Sequence, residues 1–223
     1  MIPIVWWQRG PSFKIVHLKV FMKLLEYEMV RCFYTNEVIS LLKYFNLIVT
    51  TFRHREKALI RECLYLLSKI GDPDAQFHAT NISGIVTGIT NLDPLLMSKY
   101  LRELSNREPV EFQYLLRLIP IDCVINSELN EMKSKAIFLF SLLQQNKKID
   151  SNDTFRISVE KRHCNSIRTR DIISIIANEV SNPVDLDNPK WIILVEILGK
   201  VTGISVLEPD QIFSSVIEMR GYK

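Results

Sequence analysis

Only four of the 223 residues are cysteine, seven are glycine and nine are proline, and the positions of the cysteines exclude more than their number does. Cys32, Cys63, Cys123 and Cys164 form no CxxC pair and have no histidine at ligand spacing, so neither a zinc site nor a disulfide framework is expected. Lone buried thiols in a reducing cytoplasm are the expectation. Scarce glycine and proline leave no low-complexity stretch, so most of the chain should fold. No apolar run reaches the roughly eighteen residues that a membrane helix needs. The longest stretch without Asp, Glu, Lys or Arg, Ala75 to Leu92, is full of Thr, Asn and Gly. No secretory leader pattern opens the chain, and a soluble cytoplasmic protein is expected.

The usual catalytic signatures are also missing. There is no GxGxxG after a strand, no GxxxxGK[ST] phosphate loop, no GxSxG elbow and no HExxH metal site. The expectation is a non-enzyme without cofactor or metal.

What is present is a localised positive charge. The net charge is only +3, but Lys147 to Arg170 holds seven basic residues against Asp150, Asp153 and Glu160, leaving −1 for the rest of the chain. Within this segment Phe155, Ile157 and Val159 alternate with Arg156, Ser158 and Glu160, as in a half-exposed strand that runs into Lys161 and Arg162. Thr169 is expected to cap a following helix with Ile172, Ile173, Ile176 and Val180 inward and Arg168 and Arg170 at its start. Basic side chains there oppose the helix dipole and suggest a bound anion. Electrostatic attraction to RNA phosphates is one meaning of such a segment, and an ordinary solvated surface is the other.

The remainder reads as two small domains. Asn46 to Phe52 is a β-rich run, followed by a helix with Leu59, Cys63, Leu66, Leu67 and Ile70 on one face, ended by Gly71 and Pro73. Gln76 to Thr80 and Ile85 to Thr90 read as a hairpin. Asp93-Pro94 opens a second helix, and Phe112 to Ile119 reads as a strand. This order, strand, helix, strand, strand, helix, strand, is the ferredoxin-like α+β arrangement. Ser127 is expected to cap a helix buried through Leu129, Met132, Ala136, Leu139, Phe140 and Leu143. Pro183 to Leu186 reads as a short strand, Trp191 to Leu198 as a strand covered on both faces, and Gly199-Lys200 as a turn into Val201 to Leu207. Asp185 to Pro189 has the composition of a turn. Tyr114 and Trp191 suit core packing better than base stacking, and His54, His78 and His163 suit an ordinary surface.

The series Phe155-Arg156, Val159-Glu160-Lys161-Arg162, Val184-Asp185-Leu186, Asn188-Pro189, Val195-Glu196-Ile197 and Gly203-Ile204-Ser205-Val206 resembles the THUMP domain. The resemblance spans roughly residues 46 to 213. It implies an RNA-binding module of tRNA-modifying proteins, preceded by a ferredoxin-like domain. The stretch Arg117 to Asp122 is most similar to the subgroup that acts as a tRNA-binding adaptor for an RNA cytidine acetyltransferase in N4-acetylcytidine formation. The short chain, with little beyond the domain pair, also resembles stand-alone archaeal THUMP proteins.

The expected organisation is an N-terminal extension over 1–45, a ferredoxin-like domain over 46–110, a THUMP domain over 111–209 and a tail over 210–223. The expected partners are tRNA and a separate RNA cytidine acetyltransferase. Arg156, Lys161, Arg162, Arg168 and Arg170 are the expected RNA contacts, with Lys147 and Lys148 more peripheral, all gripping phosphate rather than reading bases. An RNA-modifying enzyme with an unrecognised site and a protein-interaction subunit with a basic docking surface are the alternatives.

Overall fold

The computed structural model describes residues 45–218, so that of the N-terminal extension only Phe45 lies within the described residues. Two sheets are built in turn. The first contains β1 (Leu47–Thr50), β2 (Gln76–Ala79), β3 (Ile85–Ile89) and β4 (Arg117–Pro120), with α1 (Glu56–Lys69) after β1 and α2 (Met97–Arg107) after β3. The second contains β5 (Cys123–Asn126), β6 (Phe155–Arg162), β7 (Trp191–Leu198) and β8 (Val201–Leu207), with α3 (Leu129–Gln145) after β5 and α4 (Thr169–Ala177) after β6. The chain then returns to the first sheet as β9 (Phe213–Ser214), followed by the single turn α5 (Ser215–Glu218).

The first sheet has the order β2-β3-β1-β4-β9 and is antiparallel throughout. The second has the order β5-β8-β7-β6, with β6 and β7 parallel and the other pairs antiparallel. A parallel pair needs a crossover, and α4 supplies it.

Side-chain alternation sorts the residues into layers. Leu47 and Val49 of β1 face α1 and α2, where they meet Leu59, Cys63, Leu66, Leu67, Met97, Leu101 and Leu104. Ile193, Val195 and Ile197 of β7 face α3 and α4, against Met132, Ala136, Phe140, Ile172 and Ile176. The remaining faces meet each other: Ile48, Ile85 and Ile119 of the first sheet pack on Ile192, Leu194, Leu198 and Leu207 of the second. The result is four layers, helices, sheet, sheet, helices. It explains why β7 is apolar along both faces, all eight of its residues being buried. At Gly203 of β8 the connection between β4 and β5 comes so close that a Cβ would stand 3.0 Å from Ile121 Cδ1. The Ser205 hydroxyl ties the layers by donating to the Pro120 carbonyl at 2.7 Å while accepting the Asp122 amide at 3.0 Å.

Several elements differ from the sequence reading. The strand expected over 112–119 is confined to Arg117–Pro120, because the preceding backbone is taken by a side chain: the Glu62 carboxylate of α1 accepts the amides of Gln113, Tyr114 and Leu115 at 2.8 to 3.1 Å. That strand pairs with β1, so it falls in the first sheet although it lies beyond the boundary placed at residue 110. The segment over 210–223 is not merely a tail, since β9 pairs with β4 and Phe213 is fully buried. Ser127 does not cap α3; its hydroxyl shares a hydrogen bond with that of Thr202 at 2.9 Å. Thr169 is the first helical residue of α4, not its cap, and Ile173 is exposed rather than inward. Pro183 to Leu186 forms no strand, only one bridge from Val184 to Phe155, and Asp185 closes a turn by accepting the amides of Asp187 and Asn188.

Hydrogen bonds to a charged acceptor are stronger than neutral ones, and Glu62 holds three backbone donors together. Glu62→Ala is expected to cost about 2 kcal/mol in urea unfolding, with Glu62→Gln costing less because it keeps one acceptor oxygen.

A candidate nucleic-acid interface

The eight residues of β6 separate the expected RNA contacts. At about 3.3 Å per residue its two ends lie roughly 23 Å apart. Arg156 sits near the beginning, where its guanidinium donates to the Leu186 carbonyl at 3.2 Å and its Nε is buried without a partner. Lys147 and Lys148 belong to the same end, in the loop beside Asn182 and Trp191 that follows α3. Their backbone has a structural role, for Lys147 takes φ +54° and the two amides bond to Gln144 and Leu143, closing the α3 carboxyl end.

Lys161 and Arg162 are at the opposite end, where β7 also finishes, the Gly199-Lys200 turn lies, and α3 and α4 begin. The Lys161 ammonium donates to the Ile167 carbonyl and ties down the loop between β6 and α4. Arg168 is well exposed and pairs with Asp171 at 2.9 Å, one turn into α4. Arg170, the second residue of α4, is exposed. The sequence-expected residues thus fall into two groups, with Lys161, Arg162, Arg168 and Arg170 at the end where β6 finishes.

Arg162 is the most constrained of them. Its Nη1 lies 2.6 Å from Oε2 of Glu196, a β7 side chain with no solvent exposure. The other carboxylate oxygen, Oε1, is buried and unpartnered. Burial pushes the Glu196 carboxyl above the ordinary value; the Arg162 guanidinium, and more weakly that of Arg117, oppose the rise. One N–H of Arg162 is committed to Glu196, and its side chain remains 24% exposed, so the rest of the planar fork can meet a ligand.

Sequence reasoning passed over the residues that the first sheet brings to this end. A shallow, open depression of about 460 Å³ is lined by Arg53, His54, Ile82 and Ser83 from the first sheet's loops and by Arg162 and His163 from the second. The signal was available as the run Arg53-His54-Arg55, before Glu56 and Lys57, which is as dense in basic residues as the segment singled out. Trp191, by contrast, is core, with its indole N–H donating to Asp153 at 3.2 Å. Among the described residues no group of three or more His, Cys, Asp or Glu is placed to hold a metal ion, and no helix is long and apolar enough to cross a membrane.

Comparison with known proteins agrees with this architecture. Residues 130–207, from α3 to the end of β8, match the family model of the THUMP domain. The proteins named "THUMP domain-containing protein 1" from Homo sapiens and from Bos taurus are each 26% identical over 123 residues, 53% of this chain and 34% of the relative. The chain therefore spans about a third of the length of those curated relatives. Among solved structures, PH1313 from Pyrococcus horikoshii Ot3 is similar in fold, with a TM-score of 0.55 at 16% identity, over 74% of this chain and 55% of that one.

The buried Glu196 predicts a pH signature. A carboxyl whose folded pKa is raised binds its proton more tightly in the folded state, so its contribution to stability is present below the ordinary 4.5 and is lost as pH rises through the raised value. Urea midpoints of wild type minus Glu196→Gln, measured across that window, are expected to fall with rising pH.

Proposed function

We propose that this chain is an RNA-binding module of the tRNA-modification machinery, and that it grips RNA phosphates at the end of the second sheet where β6 and β7 finish. The observation that carries the reading is the gathering of Arg162, Arg168 and Arg170 at that end of a segment matching the THUMP domain. Arginine forks on exposed loops and at a helix start suit phosphate oxygens, which position RNA without reading its sequence. The first sheet serves as a ferredoxin-like platform, a reading supported by its strand order and its two helix crossings, and the apolar layer holds it against the second sheet. Arg156 and Lys161 use their side chains in holding the fold, Lys147 and Lys148 lie at the other end of β6, and all four contribute less to RNA.

The finer reading is that of an adaptor that presents tRNA to a separate RNA cytidine acetyltransferase for N4-acetylcytidine formation. It rests on the resemblance carried by the stretch Arg117 to Asp122. The adaptor supplies proximity and orientation, and the partner supplies the chemistry.

Three phosphate contacts give an expected slope of log affinity against log salt of about −2 to −3. Arg168→Ala with Arg170→Ala is expected to weaken tRNA binding and make the slope shallower by about 1 to 2, while Lys147→Ala with Lys148→Ala leaves it nearly unchanged. An equal loss from the lysine pair would move the RNA to the other end of β6, and absence of tRNA binding would remove the RNA reading. For the adaptor role, acetylated cytidine should form with the partner enzyme only when this chain is added; its formation by this chain with acetyl-CoA and ATP alone would favour an enzyme.

A further inference from the structure

We infer that the depression between the β1–α1 loop and the β6–α4 loop is a composite phosphate site, in which Arg53 and His54 of the first sheet and Arg162 and His163 of the second hold one RNA phosphate. The inference rests on the RNA-binding reading and goes beyond it, because half of the site lies outside residues 130–207, the segment that matches the THUMP domain.

Three observations support it. The first is composition: four of the six lining residues carry a guanidinium or an imidazole, and these come in one adjacent pair from each sheet. The depression has the volume of a small-ligand site, and it is open enough to accept a group that remains part of a polymer.

The second is backbone geometry. His54 and His163 both take positive φ, +62° and +56°, and with Lys147 they are the described non-glycine residues that do so. Left-handed backbone is unfavourable for a residue with a Cβ, and here it occurs once on each wall of the same depression. Each wall is separately fastened. The Glu56 carboxylate gathers the His54 and Gly84 amides and the Ser83 hydroxyl, fixing the first wall to the hairpin between β2 and β3. On the second wall the Lys161 ammonium holds the Ile167 carbonyl, and the Gly199 amide donates to the Arg162 carbonyl at 2.9 Å.

The third observation is the charge balance. Two carboxylates adjoin the lining residues: Glu196 is paired with Arg162 and buried behind it, leaving most of that fork available, and Glu56 is held by the His54 and Gly84 amides and the Ser83 hydroxyl. Arg53 is exposed. A phosphate placed here meets donors on two sides and lies over an apolar floor at Ile82. The same chemistry is offered by an internal phosphodiester and by a terminal phosphate.

The test uses the full chain and bulk tRNA, untreated and after enzymatic removal of its terminal phosphate. Arg53→Ala and His163→Asn, one on each wall, are expected to keep the wild-type thermal midpoint, asparagine being tolerant of positive φ. Each should weaken tRNA binding by about three- to tenfold, and Arg53→Ala should also make the salt slope shallower by up to about 0.7 to 0.9, the share of one phosphate. The double variant should lose less than the product of the two, since both residues hold the same group. Wild-type binding that drops on dephosphorylation, with the variants insensitive to it, identifies a terminal phosphate; equal binding of both tRNAs identifies an internal one. Unchanged affinity in both variants, or fully multiplicative losses, while Arg168→Ala with Arg170→Ala still weakens binding, would overturn the composite site and leave the RNA reading standing. A wild-type chain that does not bind tRNA would remove both.

Discussion

The apolar layer between the two sheets is the constraint on which the basic end depends. Isoleucines 48, 85 and 119 on one side and Ile192, Leu194, Leu198 and Leu207 on the other exclude water from a surface that neither sheet could leave exposed. Once this layer is closed, the loop after β1 and the loop after β6 have little freedom relative to each other. Their cations come together although more than a hundred positions part Arg53 from Arg162 in the chain. Charged side chains have no tendency of their own to gather, so the burial of neutral ones does it for them.

Glu196 stands at the margin of this layer and shows the cost of the arrangement. A buried carboxylate is tolerated only with a partner, and breaking such a pair is far more damaging than never having made it. Arg162 is therefore oriented by a group that no ligand can reach. Two of its neighbours in the basic segment are similarly occupied: Lys161 fastens its own loop, and Arg156 reaches the Leu186 carbonyl. A basic residue in a strand is thus a weak indicator of a free charge, whereas one at a helix start, such as Arg170, has fewer internal demands on it.

The parts of the fold legible in the sequence were those governed by period and burial. The helix carrying Leu59, Cys63, Leu66 and Leu67, the hairpin of β2 and β3, and the doubly covered strand Trp191–Leu198 follow from spacing alone. Where sequence reasoning went astray, a distant side chain or strand had taken over the backbone. Glu62 captures three amides that an apolar run would otherwise place in a strand. Cys123–Asn126 becomes a strand because β8 offers an edge, and four residues are too few to show a period. Of the site, the Arg162 end was legible as a charge cluster. The contribution of Arg53 and His54 was not, because it exists only after two sheets have met.

The return of β9 has a consequence for how the molecule comes together. The chain leaves the first sheet after Pro120 and rejoins it at Phe213, with the Ser215 amide and hydroxyl both meeting the Leu116 carbonyl 99 positions away. The whole second sheet is therefore an excursion from an edge of the first, and the pairing of β9 with β4 closes a very large loop. Such a closure is entropically expensive while the intervening chain is loose and cheap once it has condensed. The last strand is accordingly a clasp: it fastens at least entropic cost after the chain between Pro120 and Phe213 has condensed, and once fastened it ties that segment to the first sheet at both of its ends.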